Sequence, residues 1–92
     1  VTIADWRVQI DAIDRELVAL LDRRCRCARE IGRLKRGLDL PVYEPKREAE
    51  VLANVTAACH QLGGGLNDAA LRRLFERIID EMRALQREDG GR

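Results

Sequence analysis

The sequence predicts an all-α fold: a three-helix chain with an unusually long first helix. Apolar residues recur at three- and four-residue spacing through three stretches, the signature of amphipathic helices. Glycine and proline gather in the two intervals between those stretches, where they act as breaks. No run alternates apolar and polar residues as a strand would, and there is no internal repeat or low-complexity segment.

The first helix is expected over about 5–38. Ile10, Ile13, Leu17, Leu20, Leu21, Ala28, Ile31 and Leu34 keep one apolar rhythm. No glycine interrupts before Gly32, and no proline before Pro41. Such a helix would be ~50 Å long at ~1.5 Å per residue. That exceeds the diameter of a globule of 92 residues, so the helix must bend or project into a partner. Gly37, Pro41 and Pro45 punctuate the following loop, and Pro45 suits the first turn of a helix. The second helix is expected over about 46–62, with Leu52, Val55, Cys59 and Leu62 on one stripe. Gly63-Gly64-Gly65 ends it. Asn67 or Asp68 can cap a third helix over about 67–88. Its stripe is Leu71, Leu74, Phe75, Ile78, Ile79, Met82, Leu85 and Gln86. Residues 89–92 are expected to fray.

A chain of 92 residues makes a single domain, here 1–92. Its core alone is modest, so association is an expected source of stability. The net charge of +1 argues against general nucleic-acid binding. No apolar run approaches the ~18 residues of a membrane span, and the N-terminus lacks a basic-then-apolar signal pattern. A cytoplasmic protein is expected. The chain opens on Val1, which leaves an alternative start, trimming or excision from a longer chain all open.

Cys25, Cys27 and Cys59 cannot all pair within one chain. Cys25 and Cys27 point roughly 200° apart around a helix and cannot chelate one metal. Reduced structural thiols and no metal are expected, with His60 at a helix end. No nucleophile sits beside a histidine and an acid, and the only hydroxyls are Thr2, Tyr43 and Thr56. Gly63-Gly64-Gly65 lacks the Lys-Ser/Thr sequel of a phosphate loop. An enzyme built from these residues would work by positioning and electrostatics rather than covalent chemistry.

The informative residues are cations. Arg24 and Lys35 are eleven residues apart, which is ~20° of net rotation and ~16 Å of rise. They share a face with Ala28 and Ile31 between them, and neither has an acid three or four residues away within the helix. They are either snorkelling side chains at a core edge or a clamp for a small, doubly charged anion. Arg7 lies ~26 Å before Arg24 and about 100° around the axis. One helix cannot bring both to one ligand; a second, antiparallel copy could. As a lone residue, Arg7 reads as surface; the overlong helix is what favours the dimeric arrangement. Gln86 falls on the apolar stripe of the third helix. It either reaches solvent at the helix end or faces a polar pocket that satisfies its amide. Glu44, Arg47 and Glu48 cluster at the start of the second helix. The backbone dipole favours carboxylates there and gives an arginine nothing, which singles out Arg47.

Together these residues carry a resemblance. Arg7-x-x-Ile10-Asp11-x-Ile13-Asp14-x-x-Leu17-x-x-Leu20-Leu21-x-Arg23-Arg24 resembles the opening of the all-helical chorismate mutases, and Ile31-Gly32-x-x-Lys35 continues it. Pro41-Val42-Tyr43-Glu44-Pro45-x-Arg47-Glu48 resembles the family's loop and second-helix start. Leu74-Phe75-x-x-Ile78-Ile79, ending at Gln86, resembles its third helix. The resemblance implies an intertwined homodimer with two shared active sites. It implies rearrangement of chorismate to prephenate on the route to Phe and Tyr, without a cofactor. By position, Arg24 and Arg7 of the other chain would bind the two carboxylates. Lys35 and Gln86 would be catalytic at the ether oxygen. Glu44 would accept a hydrogen bond from the ring hydroxyl, and Arg47 and Glu48 would support that side of the pocket. Some members have a small hydroxyl residue where Met82 stands, and Asp where Glu44 stands. The alternatives are an isochorismate pyruvate lyase or amino-chorismate mutase on the same scaffold, or a non-catalytic helical regulatory module. An activating partner enzyme is conceivable, because the C-terminal tail is short and glycine-rich.

Overall fold

The computed structural model describes residues 1–90, with side chains as far as Arg87. Helix α1 spans Ile3–Gly37, α2 Pro45–Gln61 and α3 Asp68–Gly90. No strand is present among the described residues. The 89–92 tail, expected to fray, is helical through Gly90, and its last two residues lie outside those described.

Each helix is bounded by local chemistry. Thr2 caps α1: its Oγ1 accepts from the Asp5 amide at 3.2 Å, and its own amide donates to Asp5 Oδ2 at 2.8 Å. This reciprocal pair satisfies two otherwise orphaned donors, and it starts the helix ahead of the apolar rhythm. At the other end, the Leu40 amide donates to the Lys35 carbonyl at 2.8 Å, with Asp39 in the left-handed region at φ 54°. Pro45 opens α2, where its missing N–H costs nothing. Gly63 (φ 102°) and Gly64 (φ 64°) close it, a left-handed exit that glycine makes without strain. Asn67 Oδ1 accepts from the Ala70 amide at 2.8 Å and caps α3. His60 is paired across this turn, its Nε2 lying 2.7 Å from Asp68 Oδ1.

α3 packs against both α1 and α2, while α1 and α2 do not pack on each other. The buried apolar set is small: Ala28, Leu71, Ile79 and Met82. All buried residues of α1 (Ala28, Gly32 and Lys35) lie in its C-terminal third. The apolar stripe expected along α1 is therefore mostly uncovered within one chain. Trp6, Ile10, Ile13, Leu17 and Leu20 all remain half-exposed or more, and Ile31 and Leu34 are exposed as well. Leu62 and Leu74, assigned to the other two stripes, are also exposed. α3, with 23 residues against 35 in α1, covers only the C-terminal end of α1, where all of that helix's buried residues lie.

The chain measures 55 × 25 × 16 Å, with a radius of gyration of 16.1 Å. A compact domain of this length would have a radius of about 12 Å. Its accessible surface is 7287 Å², where a compact monomer of this mass would show about 5,400 Å². The helix does not bend back to hide its apolar face. No helix among the described residues is long and apolar enough to cross a membrane.

Candidate active site

The covered end of α1 is where the polar chemistry gathers. Gly32 lets α1 and α3 approach closely: a Cβ there would stand 3.2 Å from Gln86 Cγ and 3.3 Å from Gln86 Cα. One turn later, Lys35 is buried at 8% exposure. A buried ammonium needs oxygen partners for its three protons, and Lys35 has them. Nζ donates to the Val42 carbonyl at 3.0 Å, pairs with Glu44 Oε1 at 2.5 Å, and lies 3.5 Å from Gln86 Oε1. The three partners come from the loop, the N-cap position of α2, and α3. Arg36 adds a hydrogen bond to the Gln86 carbonyl at 3.5 Å.

These groups head a cavity of about 460 Å³. Arg24, Cys27, Ala28, Ile31 and Lys35 line it from α1, and Val42 and Glu44 from the loop. Arg47, Glu48 and Val51 contribute from α2, and Ile79, Met82, Arg83 and Gln86 from α3. Six of the seven residues singled out in the sequence thus share one cavity: Arg24, Lys35, Glu44, Arg47, Glu48 and Gln86. Arg7 does not. It is exposed near the start of α1, ~42 Å along the axis from Lys35.

The cations differ in their freedom. Arg24 is half-buried and makes no hydrogen bond or ion pair among the described residues. Arg47 is largely exposed and, among the described residues, reaches only Glu50, at 3.5 Å. Arg83 is fully engaged. Its Nη2 stands 2.7 Å from both Glu48 oxygens and its Nε 3.0 Å from Oε2, while Nη1 lies 3.3 Å from Asp80. The hydrogen bonds to Glu48 raise the Arg83 pKa above its ordinary value; partial burial opposes this, and the Glu48 and Asp80 charges reinforce it. Arg83 also stacks over the Tyr43 ring, 5.2 Å from its centroid.

Arg83 was not singled out from the sequence. Its one visible signal is position: it falls four residues after Ile79 and three before Gln86, on the same face as both. Cys27 also lines the cavity, and a small uncharged side chain between Arg24 and Ile31 carries no sequence signal of that role. The lining holds four cations (Arg24, Lys35, Arg47, Arg83) and two carboxylates (Glu44, Glu48), a balance suited to a small anion.

Known proteins share this fold. The chain matches the form II structure of chorismate mutase from Thermus thermophilus with a TM-score of 0.85 and 40% identity, covering 92% of this chain and 93% of that one. It is 31% identical over 85 residues to a bifunctional chorismate mutase/prephenate dehydratase of Aquifex aeolicus, covering 91% of this chain and 24% of the relative. It is 26% identical over 86 residues to a chorismate mutase of Methanocaldococcus jannaschii, covering 94% of this chain and 85% of that protein. The chain thus spans about a quarter of the length of the bifunctional relative. Residues 6–87, which include every cavity residue described above, match the chorismate mutase type II family, and the chain belongs to that family.

Proposed function

We propose that the chain is a chorismate mutase, converting chorismate to prephenate by a [3,3]-sigmatropic rearrangement. The observation that carries this reading is the buried Lys35 ammonium beside the Gln86 amide, 3.5 Å apart, at the head of a cavity that also holds an unengaged Arg24. The reaction breaks one C–O bond and forms one C–C bond within a single molecule. It transfers no proton and needs no redox partner. What it needs is a folded substrate and a place for charge that builds on the ether oxygen.

The residues suit those needs. Arg24 can bind one carboxylate bidentately, which restricts the flexible enolpyruvyl arm. Lys35 turns the proton of its long 3.5 Å contact with Gln86 Oε1 toward the ether oxygen, and the Gln86 NH₂ group, which makes no other bond among the described residues, joins it there. Both interactions strengthen as negative charge develops, so they favour the transition state over the ground state. Glu44, paired to Lys35 through Oε1, keeps its second oxygen for the ring hydroxyl. Arg47 and Glu48 form the wall on that side.

The second carboxylate needs another cation, and we assign it to Arg7 of a second copy. The accessible surface exceeds that of a compact monomer by about 1,900 Å², more than the ~800 Å² per partner of an ordinary interface. Most of the uncovered apolar residues of α1, Trp6, Ile10, Ile13, Leu17 and Leu20 among them, lie along the half that carries Arg7. An antiparallel, intertwined homodimer would cover them and bring Arg7 toward the partner's Arg24.

The test is direct. Purified protein is incubated with chorismate, loss of the enolpyruvyl ultraviolet absorbance is followed, and the product is identified by mass and by acid conversion. Prephenate is the expected product. No turnover, or salicylate formed from isochorismate in its place, would overturn the reading.

A further inference from the structure

Glu48 poses a problem for a site that takes a dianion. Its carboxylate lines the substrate cavity, and its side chain is only 24% exposed. Unpaired, it would repel a bound carboxylate. The fork of Arg83 answers it through both Nη2 and Nε, at 2.7–3.0 Å. Charge-assisted pairing of this bidentate kind is stronger than a neutral hydrogen bond and fixes the carboxylate's orientation. The same guanidinium covers Tyr43, and Tyr43 stands between the two loop residues that hold Lys35: Val42 through its carbonyl and Glu44 through its carboxylate. One side chain therefore braces both the cavity wall and the segment that positions the ammonium.

We infer that Arg83 is a positioning residue of this site, one that neutralises and orients Glu48 against a dianionic substrate and holds the Val42–Glu44 segment in place through Tyr43. The inference rests on the chorismate mutase reading and deepens it. Arg83 acts through its neighbours rather than on substrate, because its donors are already directed at Glu48 and Asp80. The pair it forms is also a partition. A second cavity of about 530 Å³ lies beyond it, and Glu48, Ile79 and Arg83 line both. Loss of the pair would let the wall between them relax.

The test is steady-state kinetics of Arg83→Gln, Arg83→Lys, Glu48→Gln and the Glu48→Gln/Arg83→Gln double variant. A single uncompensated charge several ångströms from the substrate, in a partly solvated cavity, corresponds to roughly a 5–30-fold effect on binding. Arg83→Gln should raise KM by that order while kcat changes by about threefold or less, the pattern of weakened ground-state binding. Arg83→Lys, which keeps the charge but not the fork, should recover part of the loss. In the double variant, KM should fall below that of Arg83→Gln alone, because the repelling carboxylate has gone. A purely structural role predicts no such recovery. The inference is overturned by an Arg83→Gln KM within twofold of the parent, or by a double variant whose KM stays as high as the single one. Should Arg83→Gln fail to fold by circular dichroism, Arg83→Lys decides alone: a parental KM and kcat would overturn the inference. A parent protein without turnover would instead sink the functional reading beneath it, so the two failures are distinct.

Discussion

Replacing Gly32 by alanine should separate stability from activity. In the interior of a helix, alanine is favoured over glycine by about 1 kcal/mol, so the change ought to stabilise α1. At this position the new methyl would meet Gln86 Cγ at 3.2 Å and Gln86 Cα and Cβ at 3.3 Å. Two of those atoms lie at the root of α3 and cannot rotate away, so the helix itself must give by a few tenths of an ångström. Overpacking of this kind costs about 1–3 kcal/mol. The two effects nearly offset, leaving a net change of about 0–2 kcal/mol against the folded state. Catalysis has less room. Lys35 Nζ and Gln86 Oε1 are already 3.5 Å apart, at the outer limit of a hydrogen bond. A misplacement of ~1 Å in a catalytic group costs ~10²-fold, so a third of that should cost ~3–10-fold in kcat. Urea unfolding at matched protein concentration gives the stability, and the chorismate absorbance assay gives kcat. A variant about 1 kcal/mol more stable than the parent, with unchanged kcat, would refute the reasoning: α3 would then be free to shift without consequence for the site.

Further outcomes follow from the same geometry. Lys35→Ala should retain its helical circular dichroism and lose ~10²–10³ in kcat, the usual cost of one transition-state donor; full activity would point to a non-catalytic helical module. The parent should show no acid-requiring limb between about pH 6 and 8, because a neutral Gln86 does not titrate. Gln86→Glu should introduce such a limb: the carboxyl donates only when protonated, so the rate should rise as pH falls toward about 4.3. A pH profile unchanged by Gln86→Glu would remove Gln86 from the ether oxygen. Finally, inactive Arg7→Ala and inactive Lys35→Ala chains, mixed and allowed to exchange, should regain activity, since a heterodimer would contain one intact site. No recovery despite exchange, checked by mass spectrometry of the mixed dimer, would show that Arg7 does not serve a partner's site.

Much of the helical framework could be read from apolar spacing and from the positions of glycine and proline. The two extra residues at the start of α1 could not, because Thr2 and Asp5 define them through a polar exchange outside the apolar rhythm. The rhythm also identified Ile10, Ile13 and Leu17 as a stripe without revealing that α3 covers only the other end of α1. Periodicity states which face is apolar, and the covering partner decides burial. Within the site, Arg24 and Lys35 were legible as a shared face because helical rotation is simple arithmetic. Gln86 was legible as a polar residue on an apolar stripe. The Glu48–Arg83 pair was not, since its members stand on different helices 35 residues apart. No local pattern encodes such a distant meeting.

The anchor of Lys35 to the Val42 carbonyl has a consequence for how this loop can vary. A carbonyl belongs to the backbone, so every residue at position 42 supplies it equally. Substitution there leaves the anchor in place, while insertion or deletion does not. One added residue moves the chain by up to ~3.5 Å, enough to carry the oxygen out of reach of Nζ. The spacing is already fixed from both sides, by the Leu40 amide bonded to the Lys35 carbonyl and by Pro45 opening α2. Variation in this segment should therefore be free in side-chain identity at position 42 and strict in length.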